Sequence, residues 1–173
     1  LQPGFKYVLE KLFKMAKEAG FTTSLDVQWD PAERWDFDFK QILPYVDIFF
    51  PNDSELVFLA GKDSVDSSLR EIKKYGNFLL VKQGKRGSLL SYGDKIIKAD
   101  AFLNDQVVDA IGAGDSFNAG YIFKFIQGSP PEDCQKFGNL MGAISTTEPG
   151  GTMAFTGYKE TLKIAMEKFG YAE

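Results

Sequence analysis

The sequence predicts an α/β domain, with helices on both sides of a mostly parallel sheet, and three observations carry that expectation. Runs with a 3.6-residue apolar period alternate with short apolar runs along the chain. The short runs, such as "VDIFF" and "FLLV", are continuously apolar, as strands covered on both faces are. One segment, "GSLLSYGDKIIKA", alternates apolar and polar residues on either side of Gly93-Asp94 and reads as a hairpin.

The first helix is expected in "FKYVLEKLFKMAKEAG", where Phe5, Val8, Leu9, Leu12 and Met15 or Ala16 share one side and Gly20 suits the end. "FTTSLDV" then gives a short strand closing on Asp26. The aromatic and charged stretch "QWDPAERWDFDFKQIL" reads as a connection, and "VDIFFPN" as a strand stopped by Pro51. "ELVFLAG" and "SVDSSLREIKKYG" are helical, and "NFLLVKQG" is a strand. After the hairpin, "DQVVDAIGAG" is expected to form a brief strand with a glycine-rich exit. "DSFNAGYIFKFIQ" follows as a helix with Phe117, Tyr121, Ile122 and Phe125 inward, and "PEDCQKFGNLMGAIST" and "GYKETLKIAMEKFG" complete the chain. Ligands of such sheets bind beyond the carboxyl ends of the strands, which is where Asp26, Asn52, Gly84 and Asp115 are expected to gather.

Composition narrows the chemistry. At 173 residues, without repeats or a low-complexity linker, residues 1–173 are expected to form a single α/β domain. Lys+Arg 20 against Asp+Glu 24 gives a net charge of -4, and no basic tract is present to hold nucleic acid or an anionic membrane. There is no His, so neither an imidazole-ligated zinc site nor a Ser-His or Cys-His relay can be built. The single cysteine, Cys134, cannot form an internal disulfide. The start lacks the plan of a signal peptide, and a cytoplasmic location is expected.

The stretch with the most chemical content is "DAIGAGDSF", Asp109 to Phe117. The first turn of a helix presents N–H groups without intrahelical partners, and glycines let a phosphate approach them closely. Asp115 at that helix start is open to two readings, a helix cap or a base beside an anion site. The stretch is neither a Walker A loop, which needs Gly-Lys-Ser/Thr, nor the dinucleotide fingerprint, which needs a third Gly where Phe117 stands. A carboxylate beside an anion hole suits the removal of a hydroxyl proton while phosphate charge is stabilised nearby.

"DAIGAGDSFNAGYI" closely resembles the C-terminal signature of the ribokinase-like, or PfkB, carbohydrate kinases, whose common form is Asp-Thr-x-Gly-Ala-Gly-Asp-x-Phe. The resemblance implies a three-layer αβα, Rossmann-like core and an ATP-dependent transfer of phosphate to a sugar hydroxyl. Asp115 would be the catalytic base, in contact with the substrate, and the N–H groups of Gly112, Ala113 and Gly114 the anion hole. "PNDSE" resembles the family's Asn-x-x-Glu motif, which implies Asn52 near the phosphates and Glu55 at Mg²⁺ through water. "VKQGKRGSLL" resembles the nucleotide-side strand and turn, which implies that Lys82, Gly84 and Gly87 neighbour ATP. Asn139 matches a position lining the adenine pocket. Asp26 matches the acid of the family's Asp-Pro-Asn run, implying a substrate contact, although "DVQWDP" lacks the Asn two places on. "TTEPGG" matches a loop that in many members holds K⁺ with backbone near Asp109 and Ile111.

The resemblance covers the later part of a longer family pattern. The opening strands, the Gly-Gly sugar signature and the lid, which often makes a homodimer interface, have no counterpart here. The expectation is a sugar kinase when complete and little or no turnover from these residues alone. A nucleoside or vitamin kinase of the same superfamily, or a non-catalytic nucleotide-binding module, are the alternatives.

Overall fold

A computed structural model describes residues 8–28 and 38–172, which fold as two compact units. Phe5 and the stretch 29–37, within the expected connection, lie outside the described residues. No helix among the described residues is long and apolar enough to cross a membrane.

The first unit comprises the described residues up to Lys82 together with Leu89–Ile97. Helix α1, Leu9–Glu18, has the expected period but a different phase, since Leu9 is buried and Phe13 packs on the core while Val8, Leu12 and Met15 are exposed. Both stripes fit a 3.6-residue repeat, and the one that carries Leu9 and Phe13 packs on the core, with an exposed ion pair at the helix end. Lys17 Nζ donates to both oxygens of Asp47, at 2.7 and 2.8 Å, while Asp47 Oδ2 also accepts the Thr23 N–H.

Strand β1, Ser24–Leu25, leads toward α2, Phe39–Ile42, a helix inside the expected connection. Its start is fixed by Asp38, whose side chain accepts the Lys40 N–H. A 3-10 turn, Leu43–Tyr45, precedes β2, Ile48–Phe49. Helix α3, Asp53–Ala60, ends on Gly61 in the left-handed conformation, and α4, Val65–Ile72, is capped by Ser64. Strand β3, Phe78–Lys82, completes a parallel trio in which Leu25 pairs with Phe49 and Phe49 with Leu79. Phe49 and Leu79 are wholly buried with Leu43, Leu56 and Ile72, as the continuous apolar runs require. The hairpin forms as expected: β4, Ser88–Tyr92, and β5, Lys95–Ala99, meet at Gly93, whose φ is 52°. The sheet order is β1-β2-β3-β4-β5.

The second unit comprises Gln83–Ser88 and Lys98–Glu173. Its helices are α5, Ala113–Ile126, α6, Pro131–Ser145, and α7, Tyr158–Phe169. Phe117 and Tyr121 are buried on α5, and Phe137, Leu140, Met141 and Ile144 of α6 form a core with Ala154 and Ala165. Glycines bring α5 and α6 together: a Cβ on Gly138 would lie 3.0 Å from the Phe117 carbonyl oxygen, and one on Gly142 3.2 Å from that of Ala113.

The brief strand expected in "DQVVDAIGAG" does not form. Its backbone is held by other partners: the Val108 N–H goes to the Thr146 carbonyl, the Gln106 N–H to Asn104 Oδ1 and the Ile111 N–H to Asp109 Oδ1. Short polar side chains that bond the nearby backbone compete with a sheet ladder, and here they prevail. Val107, Val108 and Ile111 are correspondingly exposed. Asp26, Asn52 and Gly84 do follow strands, but Asp115 follows a loop.

Candidate nucleotide and phosphoryl-transfer site

In the first unit, four of the motif residues come together at the carboxyl ends of β1, β2 and β3. "PNDSE" folds as it does because Asn52 caps α3 and Glu55 closes a capping box. Asn52 Oδ1 accepts the Glu55 N–H at 2.8 Å, and Glu55 Oε2 accepts the Asn52 N–H at 2.7 Å. The Lys82 N–H donates to the Pro51 carbonyl, extending the parallel pairing to a bridge between Asn52 and Lys82. Lys82 Nζ donates to Asp26 Oδ2 at 2.8 Å, and Asp26 Oδ1 accepts the Val27 N–H. The ammonium-bearing side chain is 13% exposed, so Lys82 is an internal cation and not a solvated edge lysine.

Glu55 is buried, against the ordinary expectation of a solvated acid early in a helix. Burial raises its pKa above the usual carboxylate value; the Asn52 N–H opposes this, the Asp26 charge adds to it and the Lys82 charge opposes it. A raised folded-state value means that Glu55's contribution to stability is fully present below the ordinary value of 4.5 and is lost as pH rises through the folded one. Gln also fits the third position of a capping box and carries no charge. Glu55→Gln is therefore expected to be more stable than the parent at pH 8. Urea denaturation should show that advantage shrinking at pH 5; an advantage that grows on acidification would contradict the burial effect.

Among the described residues no three acidic or thiol side chains gather to hold a bare metal ion. The donors fit a hydrated Mg²⁺ carried by nucleotide phosphates, because one oxygen of Glu55 is held by Asn52 and the other can accept a water.

In the second unit, Gly84 and Gly87 bound a 3-10 turn, Gly84–Arg86, at φ of 57° and 85°. A Cβ on Gly87 would collide with the Ala99 carbonyl oxygen and lie 2.8 Å from Ala101 N. Asn139 meets the same segment, with Nδ2 donating to the Asp100 carbonyl at 3.2 Å and more weakly to that of Ala99 at 3.4 Å. Asn139 is thus buried, not a partly exposed helix residue, and braces the strand end that Gly87 touches.

The start of α5 differs from a side-chain-capped helix. Gly112 takes the N-cap position at φ 76°, with no side-chain cap, and Asp115 stands three residues inside. The Ala113 N–H is taken by the Ala110 carbonyl at 3.2 Å, whereas those of Gly114 and Asp115 carry no hydrogen bond among the described residues. Both residues are exposed. The turn therefore offers open donors, the positive end of a helix dipole and a carboxylate in one place.

Asp109 braces this turn. Its Oδ1 accepts the Ile111 N–H at 2.9 Å and its Oδ2 the Gly150 N–H at 3.0 Å, and these bonds hold its pKa below the usual carboxylate value. Ser145 Oγ donates to the Gly151 carbonyl at 3.1 Å, and Ser116 Oγ lies 3.4 Å from the same oxygen. A Cβ on Gly151 would stand 2.7 Å from the Ile111 carbonyl oxygen, so only glycine lets the two loops approach. Sequence reasoning missed Ser116, Ser145 and Gly150; the signal was the Gly-Gly pair closing "TTEPGG".

Alongside α5 lies a cavity of about 570 Å³, walled by Phe123, Phe137, Met141, Phe155 and Tyr158 among others. Asp115 is the single charged residue of its wall. No sequence pattern announced it, because three helices and a loop contribute.

Comparison with known proteins agrees with the motifs. The pfkB family carbohydrate kinase profile matches residues 5–155. An uncharacterized sugar kinase of Archaeoglobus fulgidus is 34% identical over 121 residues, which are 68% of this chain and 48% of that protein. A nucleoside kinase of Methanothermobacter thermautotrophicus is 31% identical over 126 residues, 72% of this chain and 40% of its own. The structure of Arabidopsis thaliana ribokinase complexed with ribose and ATP has a TM-score of 0.77 and 27% identity, covering 92% of this chain and 52% of that one. This chain thus spans about half the length, or less, of these relatives. The profile runs through Asn52, Lys82, Asp115 and Asn139 alike, and the chain belongs to the pfkB family of carbohydrate kinases.

Proposed function

We propose that the complete protein transfers the γ-phosphoryl group of ATP to a hydroxyl of a sugar. The observation that carries this reading is the start of α5, where Asp115 stands exposed beside the open N–H groups of Gly114 and Asp115. The carboxylate orients the acceptor hydroxyl and takes its proton late in transfer. The open donors, together with the Gly112 turn, stabilise charge on the phosphoryl oxygens without reorganising, since the glycine turn is already braced by Asp109 and Gly151.

Asn52 and Lys82 contact the nucleotide phosphates, and Glu55 orients water of the Mg²⁺ that neutralises them. Gly84 and Gly87 shape the turn beside the nucleotide, and Asn139 keeps the 99–101 segment in place next to it. Asp26 is bonded to Lys82 and, with its side chain 30% exposed, remains open to a contact with the acceptor as well. A K⁺ ion held by backbone carbonyls near Asp109 and Ile111 would steady the α5 turn. Its support is the close approach of the Ile111 carbonyl to Gly151.

A nucleoside acceptor is the second reading, favoured by the 31% identity to a nucleoside kinase. A panel of ribose, fructose, a keto-deoxy sugar acid and adenosine, assayed with the complete protein and Mg-ATP, separates the two. Sugar-dependent ADP release is expected. Release with adenosine alone would favour the second reading, and ATP binding without any acceptor-dependent release would point to a non-catalytic module.

A further inference from the structure

We propose that Asp26 is the resident counter-ion of Lys82, and that Lys82 leaves it to bind the phosphate chain of an incoming nucleotide, so that the pair sets nucleotide affinity by competition. The inference rests on the nucleotide-site reading and adds a role for Asp26 that the family motif does not give this chain.

Strands β1, β2 and β3 are parallel neighbours, so the ends of β1 and β3 lie about 9–10 Å apart with β2 between them. To reach Asp26 from the end of β3, the four-carbon stem of Lys82 must cross over the end of β2, where Asn52 starts α3. That is where ligands of open α/β sheets bind. The ammonium is thus already held over the ligand side of the sheet.

Exchange is also chemically reasonable. A compact ammonium on a flexible stem can turn to a phosphate without backbone movement. Asp26 would keep its bond from the Val27 N–H, and its side chain is 30% exposed, so water can replace Lys82. The departure leaves no buried, unsatisfied carboxylate. A nucleoside diphosphate offers several anionic oxygens to compete with the Asp26 carboxylate oxygen that Lys82 holds. Until it arrives, Asp26 offsets the charge of the ammonium.

The competition makes an unusual prediction, since removing the charge of a residue in the site should improve binding. In calorimetric titrations of ADP, without divalent cation and at fixed ionic strength, Asp26→Asn is expected to bind about three- to tenfold more tightly than the parent, and Lys82→Met about tenfold more weakly. The double variant should match Lys82→Met alone, and Lys82→Arg should retain most of the affinity. Adenosine, which has no phosphate, should bind all variants alike.

If Asp26→Asn leaves ADP affinity unchanged or lowers it, the inference is overturned. So is it if adenosine and ADP weaken together, the signature of a merely structural pair. Should Lys82→Met not fold, as judged by circular dichroism, the Asp26→Asn and Lys82→Arg titrations still decide. Failure of the parent to bind ADP at all would overturn the nucleotide-site reading and the inference with it. Binding by the parent that survives intact in Lys82→Met would overturn the inference alone.

Discussion

Asp115→Asn in the complete protein is expected to lower kcat by about 100- to 10,000-fold, the range spanned by general-base catalysis, with nucleotide affinity changed by no more than about threefold. Asn keeps the shape and hydrogen-bonding reach of Asp but cannot take the acceptor's proton. Asp115 is exposed and is not the cap of α5, a position held by Gly112. Its loss should therefore cost folding only its helix-dipole interaction, about 0.3–1 kcal/mol. The expected result is an inactive protein that melts within a few degrees of the parent. Retention of a tenth or more of kcat would remove Asp115 from the role of base, and a tenfold loss of nucleotide affinity would assign it to binding.

Gly87→Ala carries the largest expected effect on stability, a loss of about 3 kcal/mol or more. Two penalties coincide. Gly87 has φ 85° and ψ -131°, a region that residues with a Cβ scarcely enter. The added methyl would also meet the Ala99 carbonyl oxygen, which belongs to backbone and cannot swing aside. The segment could relieve the clash only by moving off the side chain of Asn139. Urea denaturation measures the cost directly. A loss below about 1 kcal/mol would mean that residues 99–101 do not pack against this turn as described.

The elements that were legible in the sequence are those whose signals are local. "PNDSE" forms its capping box because donor and acceptor lie three residues apart, and Gly93 turns its hairpin because it can adopt a positive φ. The covered strands were legible because every residue of "FLLV" is apolar, and Leu79, Leu80 and Val81 are all fully buried. Signals that depend on distant partners were not. The rotation of α1 goes with the packing of Leu9 and Phe13 on core residues distant in sequence, and two apolar stripes of equal period could not reveal it. The fate of "DQVVDAIGAG" depends on Thr146 and Gly150, which follow α6. Helix α2 was the exception, for Asp38 is an ordinary cap signal hidden in an aromatic and charged stretch.

The candidate site divides in the same way. Asp26, Asn52, Glu55, Lys82 and Asp115 were identified because they belong to motifs, while the bonds among them were not. That Glu55 is buried, that Lys82 is bound to Asp26 and that Gly112 rather than Asp115 caps α5 are facts of three-dimensional placement. They change what each residue can do: Asp26 becomes a partner of Lys82, and the Asp115 carboxylate, not used as a cap, stays exposed.

Phosphorus-31 NMR of the complete protein with Mg-ATP and a sugar panel tests the central claim most directly. The account predicts a new phosphomonoester resonance that grows with ADP in equal amounts, requires one of the sugars and is lost in Asp115→Asn. ATP that remains intact with every acceptor, or that is hydrolysed to inorganic phosphate at the same rate with and without them, would contradict it.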